Sequence, residues 1–241
     1  MTSAMDVSAG IVWRTCPIRA SLSAGARAWL TRNDLIKGEG ISHPQARTRF
    51  LVARALLRRT IAEARPDLGW AVLDIRTARS GRPTVVDVDP LLDPFLAPNL
   101  DPELEEHLGL YLAVSHTRGL AAVAVSTVRP VGIDVEPLER DDLPPARIWL
   151  TPQEQGEHSR LPPPRRREQL LRLWVAKEAA LKACDATHAR LRRELEVRGS
   201  GEVERVPTPE DDIERSAIGQ VVWREVDARF LVAVAAAGVG R

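Results

Sequence analysis

Asp134 and Glu136 stand one residue apart on Val131-Gly132-Ile133-Asp134-Val135-Glu136, a stretch with the pattern of a buried strand. Side chains alternate faces with a period of two, so Val131, Ile133 and Val135 point one way and the two carboxylates share the other. Downstream, Glu178 opens Glu178-x-x-x-Lys182 on a helix expected from about Arg165 to Ala183, with Leu170, Leu173, Trp174 and Leu181 as its apolar stripe. Magnesium is usually held by one or two carboxylates together with waters and phosphate oxygens. A short acidic strand face with one added helical carboxylate is therefore the right size of cage for a magnesium ion on a diphosphate. Taken alone, Glu178 and Lys182 read as an ordinary i,i+4 salt bridge. Lys177 falls inside the apolar stripe, where an ammonium must snorkel or find a partner, and it reads as a structural charge.

The elements that must position these groups are legible upstream and downstream. Ile11-Val12-Trp13 has the pattern of a short strand and residues 21–32 that of a helix, with Leu22, Ala26 and Leu30 about one turn apart. Ser42-x-x-Gln45, with Pro44 in the first turn, is a capping box opening a second helix, whose apolar face is Phe50, Ala53, Leu57, Ile61 and Ala64. Arg47, Arg54 and Arg58 line a stripe beside that face, and a solvated basic face is a better reading of it than a phosphate cradle. Leu110 to Ser115 and Leu120 to Ser126 are expected as two strands around His116-Thr117-Arg118-Gly119, a hairpin turn in which glycine permits the left-handed conformation.

Arg129-Pro130 marks a boundary between an N-terminal half, 1–129, and a C-terminal half, 130–241. In the second half Thr151-Pro152-Gln153-Glu154 is another capping box. Leu195 to Val197, Gln220 to Val226 and Arg229 to Ala235 are expected as strands, the last two as a hairpin, with a polar loop from Gly199 to Ser216. The acidic, proline-punctuated residues 87–106 read as a loop with one short helix near Glu103.

Lys and Arg number 34 against 33 Asp and Glu, a formal net charge of +1, so no global field points to nucleic acid. Only two cysteines occur, Cys16 and Cys184, without metal-like spacing, which fits a reducing compartment. The first ten residues lack the basic start and apolar core of a signal peptide, and the longest apolar run, Phe230 to Val239, is too short to span a bilayer. The expectation is a cytoplasmic monomer with no membrane partner.

Val131-Gly132-Ile133-Asp134-Val135-Glu136 and Trp174-Val175-Ala176-Lys177-Glu178-Ala179-Ala180-Leu181-Lys182, in this order and at this separation, resemble the paired signatures of the 4'-phosphopantetheinyl transferase superfamily. The resemblance is to its longer, pseudo-dimeric, surfactin-synthetase-activating type. Gly81-Arg82-Pro83 is similar to that family's Gly-Lys/Arg-Pro turn, Ser115-His116 to its Ser-His pair, and the helix around Arg49-Phe50-Leu51 to its first long helix. The resemblance covers roughly residues 11 to 183. Thr117 stands where the family commonly has serine, Ala113-Val114 replaces an aromatic-polar dipeptide, and Ala183-Cys184-Asp185-Ala186 replaces a glycine-rich exit.

The resemblance implies an α+β fold of two similar subdomains with small antiparallel sheets, related by a pseudo-two-fold, with the site at their interface. It implies transfer of the phosphopantetheinyl arm of coenzyme A to a serine of an acyl or peptidyl carrier protein, as in polyketide or nonribosomal peptide biosynthesis, with release of 3',5'-ADP. By position, Asp134, Glu136 and Glu178 would hold magnesium, and Lys182 would contact the phosphate at the reacting bond. Ser115 and His116 would bind coenzyme A phosphates, with Arg82 near the adenine end and Lys37 as a further basic contact. Glu178, or a water it holds, is the candidate base for the carrier serine, so Glu178, Lys182 and Asp134 form the catalytic set. Two rivals use the same residues: a hydrolase cleaving coenzyme A or a loaded carrier with water, and a noncatalytic carrier-binding partner.

Overall fold

Alternating apolar residues and two long helical stripes fold this chain into two compact units, 1–128 and 129–241. The computed structural model describes residues 10–71, 73–78, 81–87, 108–184, 189–206 and 216–238. Most of the acidic stretch 87–106, with the short helix expected near Glu103, lies outside the described residues. Antiparallel sheets with helices packed on them make the fold α+β, as the sequence suggests.

The first unit runs β1 (Ile11–Pro17), α1 (Ala24–Arg27), α2 (Arg32–Glu39), α3 (Pro44–Ala64), β2 (Leu73–Thr77), β3 (Pro83–Asp87), β4 (Tyr111–His116) and β5 (Leu120–Ser126). Among the described residues its sheets are antiparallel β1-β5-β4 and the hairpin β2-β3. Val52, Leu56, Leu57 and Ile61 of α3 pack with Leu112, Val123 and Val125 of the larger sheet and Ile75 and Val85 of the hairpin. Each such side chain taken out of water contributes about 1.5–3 kcal/mol.

Three expectations are corrected here. The helix expected over 21–32 is split into α1 and α2, because Thr31 caps a new helix through its hydroxyl and the Asp34 carboxylate. Helix α3 is capped by His43, whose Nδ1 accepts from the Ala46 N–H, and not by Ser42. The arginine stripe is not a solvated face: Arg58 is 1 % exposed and Arg54 7 %. Arg58 donates to Asp34 Oδ2 at 2.6 Å and to the Trp70 and Leu73 carbonyls, each at 2.8 Å. Arg54 donates to the Ile75 carbonyl, and Arg47 to that of Ile41. Buried Asp34 neutralises charge that would otherwise be costly inside, a partner that periodicity does not reveal.

The second unit runs β6 (Val131–Pro137), a 3-10 turn at Ala146–Ile148, α4 (Pro152–Arg160), α5 (Pro163–Ala183), a 3-10 turn at Ala189–Arg193, β7 (Leu195–Val197), β8 (Glu202–Arg205), β9 (Ser216–Val226) and β10 (Phe230–Ala237). Among the described residues they form an antiparallel sheet in the order β6-β10-β9-β8-β7. Strand β8 lies inside the stretch expected as a polar loop. Its Val203 is 1 % exposed and pairs with Val197, so one inward valine and the register of β7 outweigh a charged local sequence. The expected β9-β10 hairpin forms, turning through Asp227 and Ala228 at φ of 53° and 51°. Helix α5 covers one face of the sheet, with Leu173, Val175, Ala176 and Ala180 in a core that includes Leu231, Ala233 and Ala235 of β10.

Candidate functional site

Position 132 sets how closely strand and helix approach. A Cβ on Gly132 would lie 1.9 Å from the Ala179 carbonyl oxygen and 2.6 Å from the Ala183 nitrogen. Only a hydrogen side chain lets α5 rest on β6 at this distance. By strand alternation Gly132, Asp134 and Glu136 share a face, and their β10 partners on it are Ala235, Ala233 and Leu231. The carboxylate face of β6 is thus the face on which α5 packs.

That approach delivers Lys182 to Asp134. The ammonium donates to Asp134 Oδ1 at 2.7 Å and to the Ile133 carbonyl at 3.1 Å. Asp134 is enclosed, with a side chain 7 % exposed, whereas that of Lys182 is 35 % exposed. Glu136 lies two residues along the strand and is half-buried. Burial, and then the negative charge of Asp134, push the Glu136 carboxyl up to about 7, against the opposing pull of Arg140 and Lys182.

Two arginines complete the cluster. Arg140 donates to Glu136 and Arg192 to Glu178, and both guanidiniums lie over the Trp174 ring, at 5.4 Å and 5.1 Å from its centroid. The ring is held edge-on by Trp149, at 5.3 Å between centroids. Both arginines escaped sequence reading: Arg140 follows a strand end and Arg192 sits in a short 3-10 turn, where neither helical nor strand period operates. Glu178 is engaged by Arg192, one turn before Lys182 on α5. Among the described residues, no three His, Cys, Asp or Glu side chains are grouped to hold one ion. Each of the three carboxylates carries its own cationic partner: Lys182, Arg140 and Arg192.

Lys177 is the structural charge its position in the apolar stripe suggests. It is 0 % exposed, pairs with Glu154, and donates to the Trp149 and Arg192 carbonyls. Glu154 also accepts from the N–H groups of Thr151 and Val197, so the α4 capping box, α5 and β7 share one buried network.

The remaining candidates lie in the first unit. Lys37 donates to Asp74 and to the Ile75 carbonyl. Burial opposes the Asp74 charge, but Arg76 and Lys37 outweigh it and hold that carboxyl below the usual carboxylate range. Gly81, at φ 86°, makes the turn into Arg82-Pro83, and Arg82 lies 5.7 Å over the Tyr111 ring. Ser115 and His116 close β4, half-buried and exposed respectively.

Residues 130–221, which contain both the acidic strand and the Glu178 helix, match the sequence profile of the 4'-phosphopantetheinyl transferase superfamily. The matched stretch is the part of the chain that carries the likeness to that superfamily. It is 27 % identical over 174 residues to a Synechocystis sp. protein provisionally named as a 4'-phosphopantetheinyl transferase, across 71 % of this chain and 63 % of that protein. It is also 27 % identical over 216 residues to the 4'-phosphopantetheinyl transferase HetI of Nostoc sp., across 88 % of this chain and 81 % of that protein. The match to the Synechocystis relative thus covers less than two thirds of its length. No helix among the described residues is long and apolar enough to cross a membrane.

Proposed function

We propose that this protein transfers the 4'-phosphopantetheinyl arm of coenzyme A to a serine of an acyl or peptidyl carrier protein, with magnesium, in the cytoplasm. The observation that carries this reading is the Lys182–Asp134 contact, which joins the superfamily's strand and helix signatures in one cluster. A divalent cation fits the donor set. Two hard carboxylates share a strand face, and burial together with the charge of Asp134 raises Glu136, a cost that a cation between them relieves. Asp134 and Glu136 would hold the ion, Glu178 would join them as third ligand on leaving Arg192, and when bound the ion would offset charge on the diphosphate.

The chain's own groups supply the rest. Lys182 uses two ammonium donors on Ile133 and Asp134, which leaves a third for a phosphate oxygen at the reacting bond. Glu178 accepts the proton of the incoming serine hydroxyl, directly or through water. The serine oxygen bonds to the phosphopantetheine phosphorus as the bond to the bridging oxygen breaks, and 3',5'-ADP leaves. Ser115 and His116 bind coenzyme A phosphates, with Arg82 near the adenine end and Lys37 as a further basic contact.

The decisive experiment incubates purified protein with coenzyme A, magnesium and a panel of carrier proteins and follows each carrier by intact mass. One added phosphopantetheinyl arm is the expected result. Release of phosphopantetheine without a carrier adduct would identify a hydrolase instead, and binding without turnover a noncatalytic partner.

A further inference from the structure

In the second unit Lys182 pairs with Asp134, Arg140 with Glu136 and Arg192 with Glu178, so the formal charges of the cluster cancel. The three pairs are not built alike. Lys182 is fastened to the Ile133 carbonyl as well as to the enclosed Asp134, and it belongs to the frame. Arg140 and Arg192 are partly exposed, and each has a second place to rest. Both guanidiniums already lie over the Trp174 ring, and Arg140 also donates from Nε to Asp142 at 2.8 Å. The ring is a fixed surface: Trp174 is buried and stands edge-on to Trp149, whose indole N–H donates to the Pro144 carbonyl at 2.9 Å. The turn that carries Arg192 is fixed too, because buried Lys177 donates to the Arg192 carbonyl at 2.9 Å.

We propose that Arg140 and Arg192 are exchangeable counter-charges: they occupy Glu136 and Glu178 in the metal-free protein, give them up to the cation, and so set how tightly the site holds it. This rests on the cation reading given above. A carboxylate oxygen engaged by a guanidinium cannot offer the same lone pair to a metal, and the two positive charges repel at contact distance. Each guanidinium must therefore leave or weaken the metal. Leaving costs little here, because the Trp174 face, and for Arg140 the Asp142 carboxylate, keep part of the charge's stabilisation after the exchange. Among the described residues no three carboxylates are grouped on one ion, which is the arrangement expected while each keeps its own cation.

Calorimetric titration of the full chain with magnesium chloride, without coenzyme A or carrier, tests it. Arg140→Gln and Arg192→Gln each remove a competing charge and should tighten magnesium binding about tenfold. Arg192→Lys keeps the charge and should bind as the parent does, which separates charge from packing. The arginine Nε–H resonances of the parent protein give a second readout. Magnesium should shift those of Arg140 and Arg192, each identified by its loss in the matching variant, and leave in place that of Arg58, which is buried on Asp34. If the parent takes magnesium but the Gln variants bind it equally or more weakly, or the two signals ignore it, the exchange is overturned and the cation reading stands. A parent that binds no magnesium overturns both.

Discussion

Lys182 Nζ lies 2.7 Å from Asp134 Oδ1 and 3.1 Å from the Ile133 carbonyl oxygen, so one ammonium fastens the last turn of α5 to the middle of β6. The carboxylate side is nearly enclosed and the lysine side is partly open. A group placed this way can hold the strand and still present a proton donor to an incoming phosphate.

Asp134→Ala removes the acceptor of that contact and one proposed cation ligand. Carrier loading should fall about a hundredfold, with partial recovery in excess magnesium if metal affinity is what the carboxylate supplies. Initial rates across a magnesium titration check this, and a variant as active as the parent at every concentration refutes the ligand role.

Glu178→Gln keeps the shape of the side chain and removes its charge and basicity. Loss of about a hundredfold or more in transfer is expected from a group that is both ligand and base. The measurement is single-turnover loading of a carrier followed by mass, and near-normal transfer would falsify the assignment.

On the proposed cation site, Glu136 makes magnesium binding sensitive to pH. Its carboxyl is raised to about 7, so below that value a proton competes with the cation, and above it the site is ready. With one proton displaced, apparent magnesium affinity should improve about tenfold from roughly pH 6 to 8 and then level off. Glu136→Gln should flatten that rise. The sign for stability is opposite. In the metal-free protein the native state keeps a proton that the unfolded chain releases at ordinary carboxylate pH, so this group's contribution declines as pH rises toward 7.

Gly132→Ala tests the approach of α5 to β6. The added methyl would lie 1.9 Å from the Ala179 carbonyl oxygen, a backbone atom, with no flexible side chain to yield. Destabilisation of about 3 kcal/mol or more is expected, with loss of activity through displacement of Lys182. Urea unfolding read beside transfer rate checks both, and an unchanged midpoint would show that the helix can retreat.

Lys177→Met leaves Glu154 buried opposite an apolar group. Breaking a buried pair from one side costs about 3–5 kcal/mol. A large drop in the unfolding midpoint is therefore expected. An undiminished midpoint would mean that the Thr151 and Val197 N–H groups suffice to hold the Glu154 charge.

Much of this protein follows from local order along the chain. Alternation on β6 places Asp134 and Glu136 on one side, the stripe on α5 buries Lys177, and the capping box at Thr151 starts α4, because each depends only on residues a turn or less apart. Contacts across the fold were settled elsewhere. Asp34 answering Arg58 from 24 residues away, Arg192 answering Glu178, and Arg140 and Arg192 sharing Trp174 depend on which segments pack together. Periodicity assigns a side chain to a face. Only packing decides what that face meets, and so whether a charge is matched, buried or left open for a ligand.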